Sequence, residues 1–309
     1  MHVLFRLFRF HPTLLMTLCS TLWISACSSV DSSRNQKTAT PVQTLPATPL
    51  IAEVPPLAPA SVPFPHQAPS IHAESAIMID ARTGRTLYYK NATQKRAVAS
   101  TQKLLTAMLV LQRGNLSQSV VTQIEDTRVE PSKLGYRAGQ TFSRHLLLSA
   151  MMVKSSNDVA YTLARDHSGS IPAFSRAMNQ YAASCGATQS HFVNPHGLTA
   201  PGQYSTAQDM AKVAYYAYRN HTLRQMMRLQ ELYVPVGGRT VKLEATNKLL
   251  ARSPIYTGMK TGYTVASGRC LISSASYQGR DVILVQLGSK TKHIFNDAES
   301  MMQWGLQSL

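Results

Sequence analysis

The chain has 309 residues, 44% of them hydrophobic and 15% charged, which is enough for one large domain or two small ones. Its net charge of +16 favours anionic partners. An export leader argues against nucleic acid and leaves anionic cell-wall polymer, lipid headgroups, or solubility alone as reasons for the charge.

The leader comes first in the chain. Arg6 and Arg9 precede an apolar run from Leu14 to Ile24, which ends at Ser25-Ala26-Cys27. A run this short, between a basic start and small residues, reads as a secretory signal over 1–27 rather than a membrane span. Ile24-Ser25-Ala26-Cys27 also resembles a bacterial lipobox. That resemblance implies lipidation at Cys27, and Ser28 after it implies the outer membrane, with the protein held by its N-terminal lipid on the periplasmic face of the envelope. Residues 28–70 include "TPVQTLPATPLIAEVPPLAPASVPFPHQAP", proline-dense with few charges and one aromatic. Such a segment buries too little apolar surface to offset its ordering entropy, so a disordered tether is expected. The charges of the tether cancel and the leader holds two arginines, which leaves +14 on residues 71–309, the expected catalytic domain.

Within that domain, "SAIMIDARTGRTLYYKN" reads as two strands around a Thr-Gly turn. From Ser100 the pattern changes to helical spacing, with Leu104, Leu105, Met108 and Leu111, and stops at Gly114. Residues 115–142 are polar, with short strand candidates. "FSRHLLLSAMMVKSSNDVAYTLARDHSG" reads as helix, break, helix, and further helices are expected over 171–184 and 205–219. Strand character returns from Glu231 to Lys242 and again in "GRCLISSASY" and "RDVILVQLG", and the chain closes on a helix. Strands at both ends and helices between them predict an α+β fold. One antiparallel sheet would be covered by the first and last helices, beside an all-helical lobe. A cleft between sheet and lobe is the expected place for a site.

Of the four cysteines, Cys19 leaves with the signal and Cys27 takes the lipid. Cys185 and Cys270 then remain in an oxidising compartment, able to pair or to stay as buried thiols. No Cys/His cluster has zinc spacing, so neither a metal nor another cofactor is expected.

Three short motifs carry the chemistry. Ser100-Thr101-Gln102-Lys103 opens the first helix, Ser155-Ser156-Asn157 sits at the helix break, and Lys260-Thr261-Gly262 precedes the C-terminal strand pair. A Ser-x-x-Lys alone is common by chance, and Ser289–Lys292 is one here, but that copy lacks the helix start and the trailing motifs. Serine is a poor nucleophile until a base takes its proton. Residues three apart on a helix share a face, so Lys103 can reach Ser100. A lysine becomes a base only if burial and a second cation lower its pKa, and Lys260 is the candidate cation. A helix start also points backbone N–H groups at developing negative charge. Asp158, Arg165, Asp209 and Arg269 are expected in structural ion pairs, and His196 in a structural turn.

The ordered trio closely resembles the serine-type penicillin-binding proteins and serine β-lactamases, and among them the low-molecular-mass D-alanyl-D-alanine carboxypeptidases (peptidase S11). "HFVNPHGL", "YSTAQDMAKVA", "TNKLL", "GMKTGYTVASGRCLISSA" and "FNDAESMMQWG" are similar to family stretches in the same order, so the match spans 73–305. The resemblance implies an acyl-enzyme on Ser100, activated by Lys103. The backbone amides of Ser100 and Tyr263 would be the oxyanion donors, Ser155 would relay protons, and Asn157 would hold the substrate amide. Lys260 and Thr261 would bind the terminal carboxylate, and Gly262 would leave room for substrate backbone. The implied substrate is the peptidoglycan stem peptide, with β-lactams as inhibitors. The same machinery would serve an endopeptidase that cuts cross-links. That alternative gains from the chain ending right after the closing helix, where many relatives carry a further β-domain and an amphipathic tail. A β-lactamase is a weaker alternative: no Glu falls between Asn157 and Glu231 to activate a deacylating water, and the second motif is Ser-Ser-Asn rather than Ser-Asp-Asn. A non-catalytic wall-binding protein is disfavoured by the intact Ser100, Lys103, Asn157 and Lys260.

Overall fold

The computed structural model describes residues 67–309. The leader, Cys27 and almost all of the Pro-rich tether therefore lie outside the described residues. Burial begins at Ile71 and Ala73.

The elements follow in chain order. A hairpin, β1 (Ser75–Asp80) and β2 (Thr86–Lys90), leads into a 3-10 turn at Ala99–Gln102 and then α1 (Lys103–Arg113). Two short paired strands follow, β3 (Ser119–Val121) and β4 (Thr141–Ser143). The helical run is α2 (Arg144–Lys154), α3 (Asn157–Ser168), α4 (Ile171–Ser184), α5 (Ala207–Arg219) and α6 (His221–Met227). A second hairpin is β5 (Glu231–Val236) with β6 (Arg239–Glu244). The chain closes with β7 (Tyr256–Thr264), β8 (Gly268–Tyr277), β9 (Arg280–Ser289) and α7 (Ile294–Gln307).

The main sheet is antiparallel with order β2-β1-β9-β8-β7, so the two chain ends meet at β1–β9 and β7 is an edge. Local chemistry sets the helix boundaries. Ser143, Ser170 and Thr206 accept N-cap hydrogen bonds from the backbone N–H groups of Leu146, Ala173 and Asp209. Pro172 lies in the first turn of α4, where its missing N–H costs nothing. Two cores flank the sheet. On one face, Met78, Leu271 and Leu284 pack with Ala298, Met301 and Met302 of α7. On the other, Ile77, Ile272 and Val285 join the helical lobe through α5 and α1.

The expected architecture is present, with four local differences. Lys260-Thr261-Gly262 lies within β7 instead of preceding the strands, because β7 continues the sheet to its edge. The strand expected at 231–242 is a hairpin, turned at Gly237 and Gly238, both with positive φ. α6 had no helical signal of its own and is capped by Asn220. α5 starts at Ala207, two residues late, because Thr206 caps it. Cys185 and Cys270 are both buried free thiols, so they do not pair.

Candidate active site

The 3-10 turn brings Ser100 and Lys103 together. Side chains three apart eclipse one another in that geometry, and Lys103 Nζ lies 2.8 Å from Ser100 Oγ. The same amine donates to Asn157 Oδ1 at 2.7 Å and to the His196 carbonyl at 2.7 Å. Ser100 Oγ donates to that carbonyl at 3.1 Å. As an ammonium, Lys103 therefore has all three N–H bonds in use, and one proton lost toward solvent leaves a lone pair beside Ser100.

Lys103 is fully buried and Lys260 is 1% exposed. Burial disfavours the charged form of each amine. The Lys103 pKa falls well below the ordinary lysine value, first through burial and then through the charge of Lys260, with Asp158 opposing. Burial lowers Lys260 to about 7. Lys260 Nζ donates to Ser155 Oγ at 2.8 Å and to the Thr261 carbonyl at 3.0 Å. Thus Ser155 and Lys260 form a second couple beside Ser100, Lys103 and Asn157.

Strained backbone holds both couples. Ala99 (φ 49°) and Ser155 (φ 65°) are left-handed without being glycine, each at a cost of about 1–2 kcal/mol. At Ser155 this geometry ends α2 and turns its hydroxyl toward Lys260. Gly262 also governs packing inside the protein. A Cβ there would lie 2.9 Å from the Ser100 nitrogen and 3.1 Å from that of Thr101, so the glycine lets β7 approach the start of α1. Thr261 Oγ1 is 2.6 Å from Thr246 Oγ1. The Tyr263 side chain is exposed, with Arg269 over its ring at 4.3 Å.

Both serines open onto one cavity of about 420 Å³, with the two amines buried behind them. Its wall includes Ser100, Ser155, Asn157, Thr261, Gly262 and Tyr263. Several wall residues had no assigned part in the sequence reading. Pro131 and Ser132 receive hydrogen bonds from Asn157 at 2.6 Å (Nδ2) and 2.7 Å (backbone N). Thr246 stands in "TNKLL" and the His196 carbonyl in "HFVNPHGL", stretches that the family resemblance marks without a role. The Pro131–Ser132 contacts had no local signal.

The residues expected in ion pairs divide. Arg165 pairs with Asp126, and Asp209 with Lys212. Asp158 instead accepts the backbone N–H groups of Leu134, Gly135 and Val159, which ties the 131–135 loop to α3. Arg269 stacks on Tyr263 and donates to Thr291 Oγ1 at 2.9 Å. The His196 ring is a turn element as expected: it accepts from the Leu198 N–H, and burial followed by the Lys103 charge lowers its pKa to about 3. Among the described residues, His72, His293 and Asp297 bring ligand-type atoms within 4.8 Å. The two imidazoles stack at 3.5 Å with 7° between planes, so their in-plane lone pairs run side by side instead of meeting at one point.

Two Ser/Lys couples with buried amines thus meet beside the β7 edge of a helix-and-antiparallel-sheet fold shared with DD-peptidases of known structure. The chain belongs to the peptidase S11 family, D-alanyl-D-alanine carboxypeptidase, whose model matches residues 63–291. It is 31% identical over 225 residues to the carboxypeptidase DacF of Bacillus subtilis, covering 71% of this chain and 58% of that one. It is also 31% identical over 245 residues to the D-alanyl-D-alanine endopeptidase of Escherichia coli, covering 76% and 78%. Its structure is similar to the DD-transpeptidase of Streptomyces K15, with a TM-score of 0.74, 28% identity, and coverage of 78% and 99%.

Proposed function

We propose that the chain is a serine DD-peptidase that removes the terminal D-Ala from peptidoglycan stem peptides. The observation that carries this reading is the 2.8 Å contact between Ser100 Oγ and an amine that is fully buried beside a second buried cation. Neutral Lys103 takes the Ser100 proton as Oγ attacks the D-Ala carbonyl. The backbone N–H groups of Ser100 and Tyr263 hold the oxyanion. Ser155, bonded to Lys260, passes a proton to the departing amine, and Asn157 holds the substrate amide. Lys260 and Thr261 receive the terminal carboxylate. Water then frees the acyl-enzyme. Penicillin acylates the same serine and leaves slowly, because among the described residues no Asp or Glu lines the cavity to activate a deacylating water.

The leader and lipobox support export, lipidation at Cys27 and attachment to the outer membrane, with 28–70 as tether and 71–309 as the catalytic domain. No described helix is long and apolar enough to cross a membrane. Metabolic labelling with a fatty-acid probe, lost in Cys27→Ala, tests the anchor. For the activity, the test is D-Ala release from a pentapeptide together with a covalent adduct from a fluorescent penicillin. Ser100→Ala should abolish both, with at least a ~10³-fold loss of rate. A Ser100→Ala enzyme that still releases D-Ala would overturn the reading.

A further inference from the structure

A second cavity, of about 390 Å³, lies at the other end of the main sheet. Arg82 and Arg85 reach it from the β1–β2 turn, and Arg280 from the start of β9. Strand register sets its distance from the serines. Gly262, packed against the Ser100 nitrogen, pairs with Cys270 near the start of β8, and Arg280 pairs with Tyr277 at the end of β8. The run from Cys270 to Tyr277 is roughly 23 Å at about 3.3 Å per residue. β1 finishes at the same end, where Asp80 pairs with Val282.

Three guanidinium groups meet there without a carboxylate partner. Arg82 Nη1 donates to the Gly279 carbonyl at 2.9 Å and Arg280 Nη1 to the Leu306 carbonyl at 3.1 Å, both neutral acceptors. Among the described residues, the Arg85 side chain makes no hydrogen bond and none of the three arginines forms an ion pair. Asp80 is the acidic side chain in this wall, and the turn itself occupies its oxygens. They accept from the Arg82 N–H at 2.8 Å and from the Thr83 hydroxyl at 2.6 Å. From α5, Arg219 adds a further positive charge and reaches the Arg82 carbonyl at 3.5 Å.

Guanidinium groups fixed on carbonyls keep N–H donors free for a phosphate, which they match in charge and geometry. Tyr277, 52% exposed at the hairpin tip beside Arg280, offers the amphipathic ring that suits headgroup depth in a bilayer. The charge of +14 on residues 71–309 draws the domain to the same kind of surface. We propose that this end of the sheet docks on a bilayer containing anionic phospholipid, with Arg82, Arg85 and Arg280 on the headgroup phosphates. Docking holds the catalytic cavity at the opposite end of β8 from the membrane. The inference goes beyond the DD-peptidase reading and does not require the lipid at Cys27.

The test uses the purified chain without its leader, residues 28–309, which carries no lipid. It should sediment with vesicles of mixed phosphatidylglycerol and phosphatidylcholine, and stay in solution with phosphatidylcholine alone. Arg82→Gln, Arg85→Gln and Arg280→Gln combined should lower the partition coefficient about 10²-fold, at about fivefold for each arginine. That variant should acylate with penicillin at the wild-type rate, which reports its folding. Arg85→Gln alone, which breaks no contact, should lower partition about fivefold. An equal loss of charge at Arg128, Arg137 and Arg239, exposed on other loops, should lower it less than about threefold, because charges more than about 10 Å from the headgroups are screened. A wild-type chain that ignores the anionic vesicles overturns the proposal, even if it binds inorganic phosphate or isolated cell wall. So does an equal loss in the two triple variants, which would make net charge the cause, or a partition unchanged within about twofold in Arg85→Gln and in the far-end triple. Each of these outcomes leaves the DD-peptidase reading untouched.

Discussion

The two faces of the main sheet are built to opposite rules. Toward α7, apolar side chains close on one another: Met78, Val282 and Leu284 against Ala298, Met301 and Met302, all fully buried. Gly305 is packed so tightly that a Cβ would strike the Met78 sulfur. Toward the lobe, near the β7 edge, the chain buries two amines and holds Ala99 and Ser155 in left-handed backbone. Buried cations and strained residues cost stability, and close-packed methionines supply it. The lesson is a division of labour: the α7 face and the lobe interior carry the fold, and the edge between them is free to hold groups that would otherwise be removed.

That contrast can be broken most sharply at Lys103. Lys103→Met should cut penicillin acylation by about 10³-fold and leave the melting temperature unchanged or higher, because it replaces a buried polar amine with apolar volume. A melting temperature lower by more than about 5 °C would show that Lys103 is structural and would sink the comparison. Gly262→Ala comes next. Its methyl must displace the Ser100 backbone, so acylation should fall about 10²-fold with a near-native circular dichroism spectrum. Met301→Ala should do the reverse. Its cavity costs about 3 kcal/mol in denaturant unfolding, and the acylation rate of the folded fraction stays as it was.

The gentlest probe is pH. In the folded state Lys260 titrates near 7, below its ordinary 10.5. Between those values the unfolded chain binds the extra proton, so this amine makes stability rise with pH across the window and adds its full penalty below it. Lys260→Met should flatten that slope. In turnover, kcat/KM should climb as Lys103 deprotonates and decline above about pH 7, where free Lys260 loses the charge that receives the carboxylate. A profile still rising at pH 9 would remove Lys260 from that role.

Much of the site was legible because its chemistry sits in short local words. Ser100 and Lys103 are one turn apart, and Ser155-Ser156-Asn157 occupies a helix break that a residue pattern reveals. What sequence reading missed was contact without local signal. Asp158 has the look of an ion-pair residue, and its oxygens turn out to be consumed by backbone N–H groups of a loop 23 and 24 residues away. Arg269 has the same look, and its partners are a ring across the strand and a hydroxyl after β9. Gly262 reads as room for a substrate, and nothing local shows that it also lets β7 lie against the Ser100 nitrogen.

Periodicity and motif spacing by themselves determined most of the element types, the candidate Ser100/Lys103 couple and the α+β class, since each depends on neighbours a few residues apart. Only the tertiary structure decided that Lys260 and Ser155 meet across 105 residues and that the His196 carbonyl completes the Lys103 shell. Those facts depend on which surfaces close-pack when the chain ends pair as β1 and β9, and no local residue pattern encodes that distance.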